Sequence, residues 1–179
     1  SLLLPVNTYG MEYVAVSRFE LAGGGPEVDF FQSCEEVCGD IPGGYCTTQN
    51  GVESCTVPYR GFISVVAVHK DTTVRITPTA NTLGGNGLIP MNAKEEYAHL
   101  LQPYQVLNIK SDQNAGDLTG SIIMSDKPIG VWSGHDAAIA DGNCCADHLE
   151  QQLFPTKTWG KKYVAAKSFP RADENDHWI

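Results

Sequence analysis

Short runs of β-branched and aromatic residues, broken by glycine and proline, are the feature that most constrains the fold of this sequence. Examples are GMEYVAV from Gly10, GFISVVAV from Gly61, TTVRIT from Thr72 and YQVLNIK from Tyr104. Runs of this length and composition are typical of β-strands. Because no long helical pattern alternates with them, a parallel α/β architecture is disfavoured. The sequence therefore predicts an all-β fold, an antiparallel β-sandwich of jelly-roll type with a disulfide-rich insertion.

The connections between these runs give more local predictions. The polar stretch HKDTT between two β-branched runs predicts a hairpin. The triplet DKP at 126–128 predicts a turn that its proline stiffens. Only 92–102 and 146–154 have patterns compatible with short helices, and the first is equally compatible with a strand that leads into a turn.

The cysteines indicate the compartment of the protein. Four of them lie close together in a stretch rich in Gly, Pro and Thr: Cys34, Cys38, Cys46 and Cys55. A loop without a core of its own needs covalent staples, so we predict local disulfides among these four in a secreted or cell-surface protein. A structural zinc site is the alternative, but the spacing lacks the two short-spaced cysteine pairs usual for zinc.

The stretch 23–58 is predicted to be a long insertion between the first and second strands of the sheet. Loops of this length commonly carry the residues that recognise a binding partner. Aromatic residues on a stapled loop can bind a partner with little loss of conformational freedom, and four of them are the candidate binding residues: Phe30, Phe31, Tyr45 and Tyr59. The alternative is that these rings only pack the insertion onto the sheet.

Two segments of the chain repeat each other at a constant offset of 150 positions. LPVNTYGMEYVAVSRF (4–19) aligns without gaps with FPTKTWGKKYVAAKSF (154–169). The identical pairs are Pro5/Pro155, Thr8/Thr158, Gly10/Gly160, Tyr13/Tyr163, Val14/Val164, Ala15/Ala165 and Phe19/Phe169. We therefore expect one β-sandwich unit over 1–153. The remaining residues, 154–179, are expected to begin a second unit or to supply a strand to the core or to a neighbouring copy.

A cluster of polar and thiol side chains precedes the second repeat. A metal-dependent hydrolase could use His135, His148 and Glu150, although no zinc motif with the required spacing is present. Calcium is possible at three carboxylates, although the EF-hand pattern is missing: Asp136, Asp141 and Asp147. We interpret the cluster as a disulfide-pinned polar junction without catalytic residues. Its residues are the cysteines Cys144 and Cys145 and the polar residues His135, His148, Gln151 and Gln152.

The charge and the apolar runs limit the classes of partner. The formal net charge is -9 and no cluster of Lys and Arg occurs, which argues against a nucleic-acid partner. No apolar run approaches the roughly 18 to 20 residues that a membrane-spanning helix needs. We therefore expect no nucleic-acid partner and no membrane-spanning helix.

Motifs in a fixed order carry a resemblance to a known family. They are DTTVRITPT, SDKPIGVWSGH, CCADHLEQQLFP and TKTWGKKYVA, the last of which ends at Ala165. In this order they resemble the N-terminal domain of the IgG Fc-binding protein family, which includes bacterial cell-surface relatives. The resemblance covers most of 4–179, with 23–58 outside it.

The resemblance implies a secreted, all-β, non-catalytic adhesion or mucus-associated module. We expect no cofactor, with calcium as the possible exception. Such a module would be part of a larger surface protein, fibre or mucus-associated assembly, with a protein or glycan partner and possible homo-oligomers formed by strand exchange. No residue here carries over the immunoglobulin partner of the family name. The alternatives are the hydrolase described above and a calcium-stiffened filament subunit.

Overall fold

The computed structural model describes residues 3–18, 23–27, 33–39, 45–112, 116–138 and 147–164. Within these residues the regular secondary structure is almost entirely β-strand. The strands in chain order are β1 (Gly10–Val14), β2 (Gly23–Glu27), β3 (Tyr45–Gln49), β4 (Val52–Val57), β5 (Gly61–Ala67), β6 (Thr72–Thr77), β7 (Tyr97–Leu101), β8 (Val106–Lys110), β9 (Ile122–Ala138) and β10 (Asp147–Gln152). The helical elements are α1 (Cys34–Gly39) and two 3-10 turns, η1 (Val6–Thr8) and η2 (Thr156–Thr158).

Seven strands form one antiparallel sheet in the order β7-β6-β9-β5-β8, and β1 and β10 also pair with β9. Strands β2, β4 and β3 form a separate small sheet with β4 in the middle. The small sheet and α1 lie between β1 and β5 in the chain, where the insertion was expected. The prediction of an all-β antiparallel fold with a disulfide-rich insertion is confirmed.

The long strand β9 joins the two halves of the large sheet. Its first part, Ile122 to Ser125, pairs with β6 and β1, and its second part, from Ile129 onward, pairs with β5 and β10. Val14 pairs with Ile122, and two residues later the amide of Val16 donates to Ser133 Oγ. Eleven residues of straight strand would separate Ile122 and Ser133 by about 36 Å. Because both lie beside the same short stretch of chain, β9 must bend between its two parts.

The turn predicted at 126–128 is a bend within the continuous strand β9, and it does not separate two strands. None of the described strands pairs with them, so Pro128 removes no ladder hydrogen bond where it stands. Side chains hold the bend instead: Ser125 Oγ donates to Lys127 O, and Asp126 Oδ1 accepts a bond from the Thr73 amide.

The predicted hairpin around HKDTT is wrong. β5 pairs with β8 and β9, and β6 pairs with β7 and β9, so the two consecutive strands both border β9 instead of each other. The β-branched composition indicated the strands correctly. It carried no information about their partners, because pairing in this sheet is set by contacts distant in sequence.

Both candidate helices are strands in the structure. The stretch 92–102 contains β7, in line with the strand alternative, and 146–154 contains β10. The sequence DHLEQQ has good helix formers, but pairing along β9 outweighs that weak local preference. Within the described residues, no helix is long and apolar enough to cross a membrane.

The core lies between the two halves of the large sheet. Its fully buried apolar side chains come from β1, β5, β6, β8, both parts of β9 and two connecting segments. They include Tyr13, Ile63, Val65, Val74, Ile76, Met91, Ile109, Leu118, Ile123, Ile129 and Val131. Burial of each large apolar side chain stabilises the folded state by roughly 1.5 to 3 kcal/mol relative to exposure. The large sheet is therefore held together by an apolar core.

Candidate interaction sites

Helix α1 begins with reciprocal capping. Ser33 Oγ accepts a hydrogen bond from the Glu36 amide at 3.2 Å, and Glu36 Oε2 accepts one from the Ser33 amide at 3.1 Å. This is the capping box, which satisfies two backbone donors of the first turn. The sequence analysis missed this helix, although Ser-x-x-Glu at 33–36 is a recognisable signal for it.

Strands β3 and β4 form a hairpin around Asn50 and Gly51. Both turn residues have positive φ values, 53° and 80°. A two-residue loop with this conformation matches the twist of the flanking strands, and Asn-Gly is its most favourable sequence. The hairpin places Cys46 directly opposite Cys55.

Two disulfides clamp α1 onto this hairpin. They join Cys34 to Cys46 and Cys38 to Cys55, with Cα–Cα distances of 5.8 and 5.4 Å. Cys34 and Cys38 are one helical turn apart on one face of α1, and their partners form a cross-strand pair of similar spacing. The prediction of local pairing among these four cysteines is confirmed. The sulfur atoms of Cys34, Cys38 and Cys46 lie within 4.8 Å of one another, but as disulfides they are not thiolate ligands for zinc.

The hairpin has a second face, which α1 does not cover. Side chains alternate along a strand, so the cysteines point to the helix and the next set points away from it. We call this second set the hydroxyl face: Tyr45, Thr47, Val52, Ser54 and Thr56. The Thr47 hydroxyl lies 3.2 Å from Ser54 Oγ and 2.9 Å from Thr56 Oγ1, which forms a row of hydroxyls across the strands. Tyr45 and Val52 are 46% and 62% exposed at the two ends of the face.

The other predicted binding residues do not gather on this face. Tyr59 is half-buried in the segment that leads from β4 to β5. Phe30 and Phe31 lie outside the described residues. Of the predicted aromatic set, Tyr45 is therefore the side chain that the structure places on an exposed surface of the small sheet.

The histidines of the predicted polar junction have different surroundings. His135 is fully buried and its Nδ1 lies 2.8 Å from the carbonyl oxygen of Ala137. His148 is exposed, stacks on Phe62 at a centroid distance of 5.4 Å, and places Nε2 3.7 Å from Glu150 Oε2. In the part of the chain that the structure describes, neither histidine belongs to a group of three convergent ligand side chains.

The candidate calcium ligands are engaged elsewhere or lie outside the described residues. Asp136 forms an ion pair with Lys110 at 2.9 Å, and Asp147 Oδ1 accepts a hydrogen bond from the His148 amide. Asp141, Cys144 and Cys145 lie outside the described residues. Calcium binding and the bonding of the last two cysteines stay predictions.

Gln152 holds the first described residues of the chain against β10. Gln152 is fully buried, its Oε1 accepts a hydrogen bond from the Leu4 amide at 2.6 Å, and its Nε2 donates to the Leu4 carbonyl at 3.5 Å. Gln151 Nε2 donates to the Gln152 carbonyl. The segment that precedes β1 therefore meets the end of β10.

Tyr13 is the buried polar side chain beside this meeting point. Its hydroxyl accepts a hydrogen bond from the Gly10 amide at 2.7 Å and donates one to the Ile129 carbonyl at 2.6 Å. Burial raises the pKa of Tyr13, and the Gly10 hydrogen bond partly opposes that rise. The hydroxyl thus fixes β1 to β9 in its protonated form.

An open apolar cleft of about 540 Å³ lies beside η2. Its lining residues are Phe154, Thr158, Trp159, Gly160 and Tyr163. Trp159 is 51% exposed and Tyr163 is 75% exposed, so two large rings stand open to solvent. The sequence analysis identified this segment as a repeat of 4–19 and did not predict a cleft.

The fold and these sites define a class of molecule: an all-β protein whose small sheet is held by disulfides. More particularly, the chain belongs to the IgGFc binding protein family, whose model matches residues 1–178, and this confirms the resemblance seen in the motifs. It is a family of binding proteins. One relative, the IgGFc-binding protein of Homo sapiens, is 41% identical over 64 residues, which make up 36% of this chain and 1% of the human protein. No solved structure matches the chain.

Proposed function

We propose that the chain is a non-catalytic extracellular module that binds a protein partner through the hydroxyl face, as one part of a larger surface or mucus-associated assembly. The observation that carries this proposal is the geometry of the small sheet. One side of its hairpin is locked to α1 by two disulfides, while Tyr45 and Val52 stand exposed on the other side. Disulfides of this kind are stable in oxidising, extracytoplasmic surroundings, which supports the proposed location.

The hydroxyl face has the composition of a binding surface. Tyrosine supplies a large contact area with few rotatable bonds, and hydroxyl groups supply adaptable hydrogen bonds, a combination typical of protein-binding loops. The staples hold the backbone of the hairpin before any partner arrives, so binding costs little ordering of the chain. A sheet face with an exposed side chain at each end suits a protein surface better than it suits a small ligand, which needs a concave pocket.

Human IgG Fc is the first probe for this proposal, because the name of the human relative states that it binds IgG Fc. We expect the wild-type chain to bind immobilised Fc in surface plasmon resonance. Tyr45→Ala should raise the Kd about tenfold or more, because tyrosines are among the side chains that contribute most to interface affinity. The matched control is Tyr104→Ala. This tyrosine is 81% exposed and lies in the connection between β7 and β8, so its loss should leave the Kd unchanged.

The outcomes test separately which partner the chain binds and whether it binds through the hydroxyl face. Wild-type chain that does not bind Fc would reject Fc as the partner, and a glycan array would then test the carbohydrate alternative. Binding of either probe that is unchanged in Tyr45→Ala and in the double variant Tyr45→Ala/Val52→Ala would reject the hydroxyl face.

A further inference from the structure

The two repeated segments have the same local structure at their start. In η1, the amide and the hydroxyl of Thr8 both donate to the Pro5 carbonyl, at 2.9 and 2.7 Å. In η2, the amide and the hydroxyl of Thr158 both donate to the Pro155 carbonyl, at 2.9 and 2.8 Å. The sequence repeat is therefore also a structural repeat over these residues.

The two segments diverge immediately afterwards. After η1 the chain enters β1, where Tyr13 is 1% exposed and pairs with Ile123 of β9. After η2, residues 160–164 pair with none of the described strands, and Tyr163 and Val164 are 75% and 92% exposed. Segment 160–164 thus has a sequence typical of a β-strand, but it is exposed and pairs with none of the described strands.

The positions that are identical in the two segments include the buried residues of the first segment, and exposed positions differ. Positions that β1 and the residue after it use for contact are identical in both segments: Gly10/Gly160, Tyr13/Tyr163, Val14/Val164 and Ala15/Ala165. Three positions that differ are exposed in the first segment: Met11 and Glu12, which are lysines in the second segment, and Val16, which is 60% exposed. The second segment therefore keeps the groups that bind β9 and changes those that face water.

The residue before β1 supplies a further contact that the second segment can reproduce. The ring of Tyr9 covers Gly130, where a Cβ would lie only 2.6 Å from it, and meets Trp132 edge to face at a centroid distance of 6.5 Å. The equivalent residue in the second segment is Trp159, which has a larger aromatic ring and is half exposed in the apolar cleft. An aromatic ring before the strand is thus available in both segments.

We propose that residues 160–164 are a donor strand for a second copy of this fold, in which they occupy the β1 position on β9. The register follows that of β1: Gly160 opposite Ile129, Tyr163 opposite Ile123 and Val164 opposite Ile122 of the second copy. The Tyr163 hydroxyl then donates to the Ile129 carbonyl, as the Tyr13 hydroxyl does within the chain. In this arrangement β9 of the second copy, with its Gly130 and Trp132, would pack into the exposed apolar cleft beside η2.

In an isolated chain β1 holds this position, because its tether gives it a high effective concentration at β9. Donation therefore requires that β1 of the recipient be weakened or displaced. Tyr13→Phe does this gently, since it removes both hydrogen bonds of the buried hydroxyl and keeps the ring. We expect the dissociation constant of the resulting dimer to fall about tenfold or more below that of wild type, measured by size-exclusion chromatography with light scattering over a concentration series.

Two double variants test whether the donor is the stated segment. Tyr13→Phe/Tyr163→Phe also removes the hydroxyl from the donor and should return dimerisation to the wild-type level. Tyr13→Phe/Tyr104→Phe, which changes an exposed tyrosine outside both segments, should dimerise like Tyr13→Phe alone. Hydrogen exchange should show amides 160–164 protected in the dimer and unprotected in the monomer. A Tyr13→Phe chain that stays monomeric, or a dimer indifferent to Tyr163→Phe, would overturn the proposal.

A second measurement uses the wild-type chain and so does not depend on the folding of any variant. A synthetic peptide of residues 154–169, added in excess, should compete with β1 and lower the exchange protection of amides 10–14. The same peptide with Tyr163→Phe should do so more weakly. Equal effects of both peptides, or no effect of either, would count against strand donation. This inference is independent of partner binding by the hydroxyl face, which lies on the other sheet.

Discussion

Strands β9 and β4 are both paired on two sides, yet the sheets they centre are stabilised differently. Around β9, apolar side chains from most of the large sheet pack into a common core. Around β4, the buried side chains of the small sheet and α1 include three half-cystines, Cys34, Cys38 and Cys55, and the two bonds that join the hairpin to α1 are covalent. A small sheet without room for a core can thus keep one face exposed, because disulfides replace the packing that the large sheet uses.

The largest expected effect breaks the large sheet alone. A Cβ at Gly134 would overlap the Leu149 carbonyl, so Gly134→Val should push β10 away from β9. We expect a loss of about 3 to 5 kcal/mol in the free energy of unfolding of the large sheet, measured by denaturant titration. Gly160→Ala is the control: the nearest atom to its Cβ lies at 3.6 Å, and the change should cost less than about 0.5 kcal/mol.

The next effect breaks the small sheet alone. Replacing Cys38 and Cys55 by alanine removes one of the two disulfides. The two cysteines of this disulfide are separated by 17 residues in the sequence. The chain-entropy model gives about 3 kcal/mol for a loop of this size. Hydrogen exchange of 45–57 should therefore become much faster, while amides of β5 and β9 keep their protection. Equal loss in both sheets would show that they unfold as one unit.

Tyr13→Phe sharpens the comparison within the large sheet, because it removes two hydrogen bonds and leaves the apolar core intact. We expect a loss of about 2 kcal/mol, since the Ile129 carbonyl and the Gly10 amide each lose a partner.

The same substitution changes the alkaline stability. The pKa of Tyr13 is raised above 10.0 in the folded state, so the native protein keeps a proton that the unfolded chain releases. Stability from this group is fully present below pH 10 and is lost as the pH rises through the higher folded pKa. Thermal melts of wild type between pH 9 and pH 11 should show a fall that is smaller in the phenylalanine variant.

The smallest effect concerns His99 in β7. Burial lowers the pKa of His99 below 6.5, so the unfolded chain binds a proton that the folded chain does not. The free energy of unfolding should therefore fall modestly as the pH drops from 6.5 through the lower folded pKa. His99→Asn should flatten that part of the pH profile, and a variant with the wild-type slope would assign the effect to another group.

Local signals in the sequence account for much of the small sheet. The four cysteines predicted local disulfides, and two further signals were present but overlooked: the capping box at Ser33 and Glu36 and the Asn50-Gly51 turn. These features act over a few residues, so they can be recognised without knowledge of the fold. The exposed hydroxyl face follows once the register of the hairpin is known.

The large sheet was predictable as a set of strands but not as an arrangement. The triplet 126–128 was interpreted as a turn, and β10 as a possible helix, because local preference was the only guide. The arrangement depends on which strands pair. The first part of β9 pairs with strands that are distant in sequence, as Val74 with Ser125 and Val14 with Ile122 show, and β10 pairs with the second part of β9. Propensity is a weak term beside such contacts, so the central position of β9 had no local signal.

The meeting of the segments before β1 and after β10 has a mechanical consequence. Pro155 packs against Gly10, and Lys157 Nζ lies 3.4 Å from the Tyr9 carbonyl, so both polypeptide connections leave the large sheet at neighbouring points. A pulling force applied through these two connections would load that small contact first and leave most of the sheet unstressed.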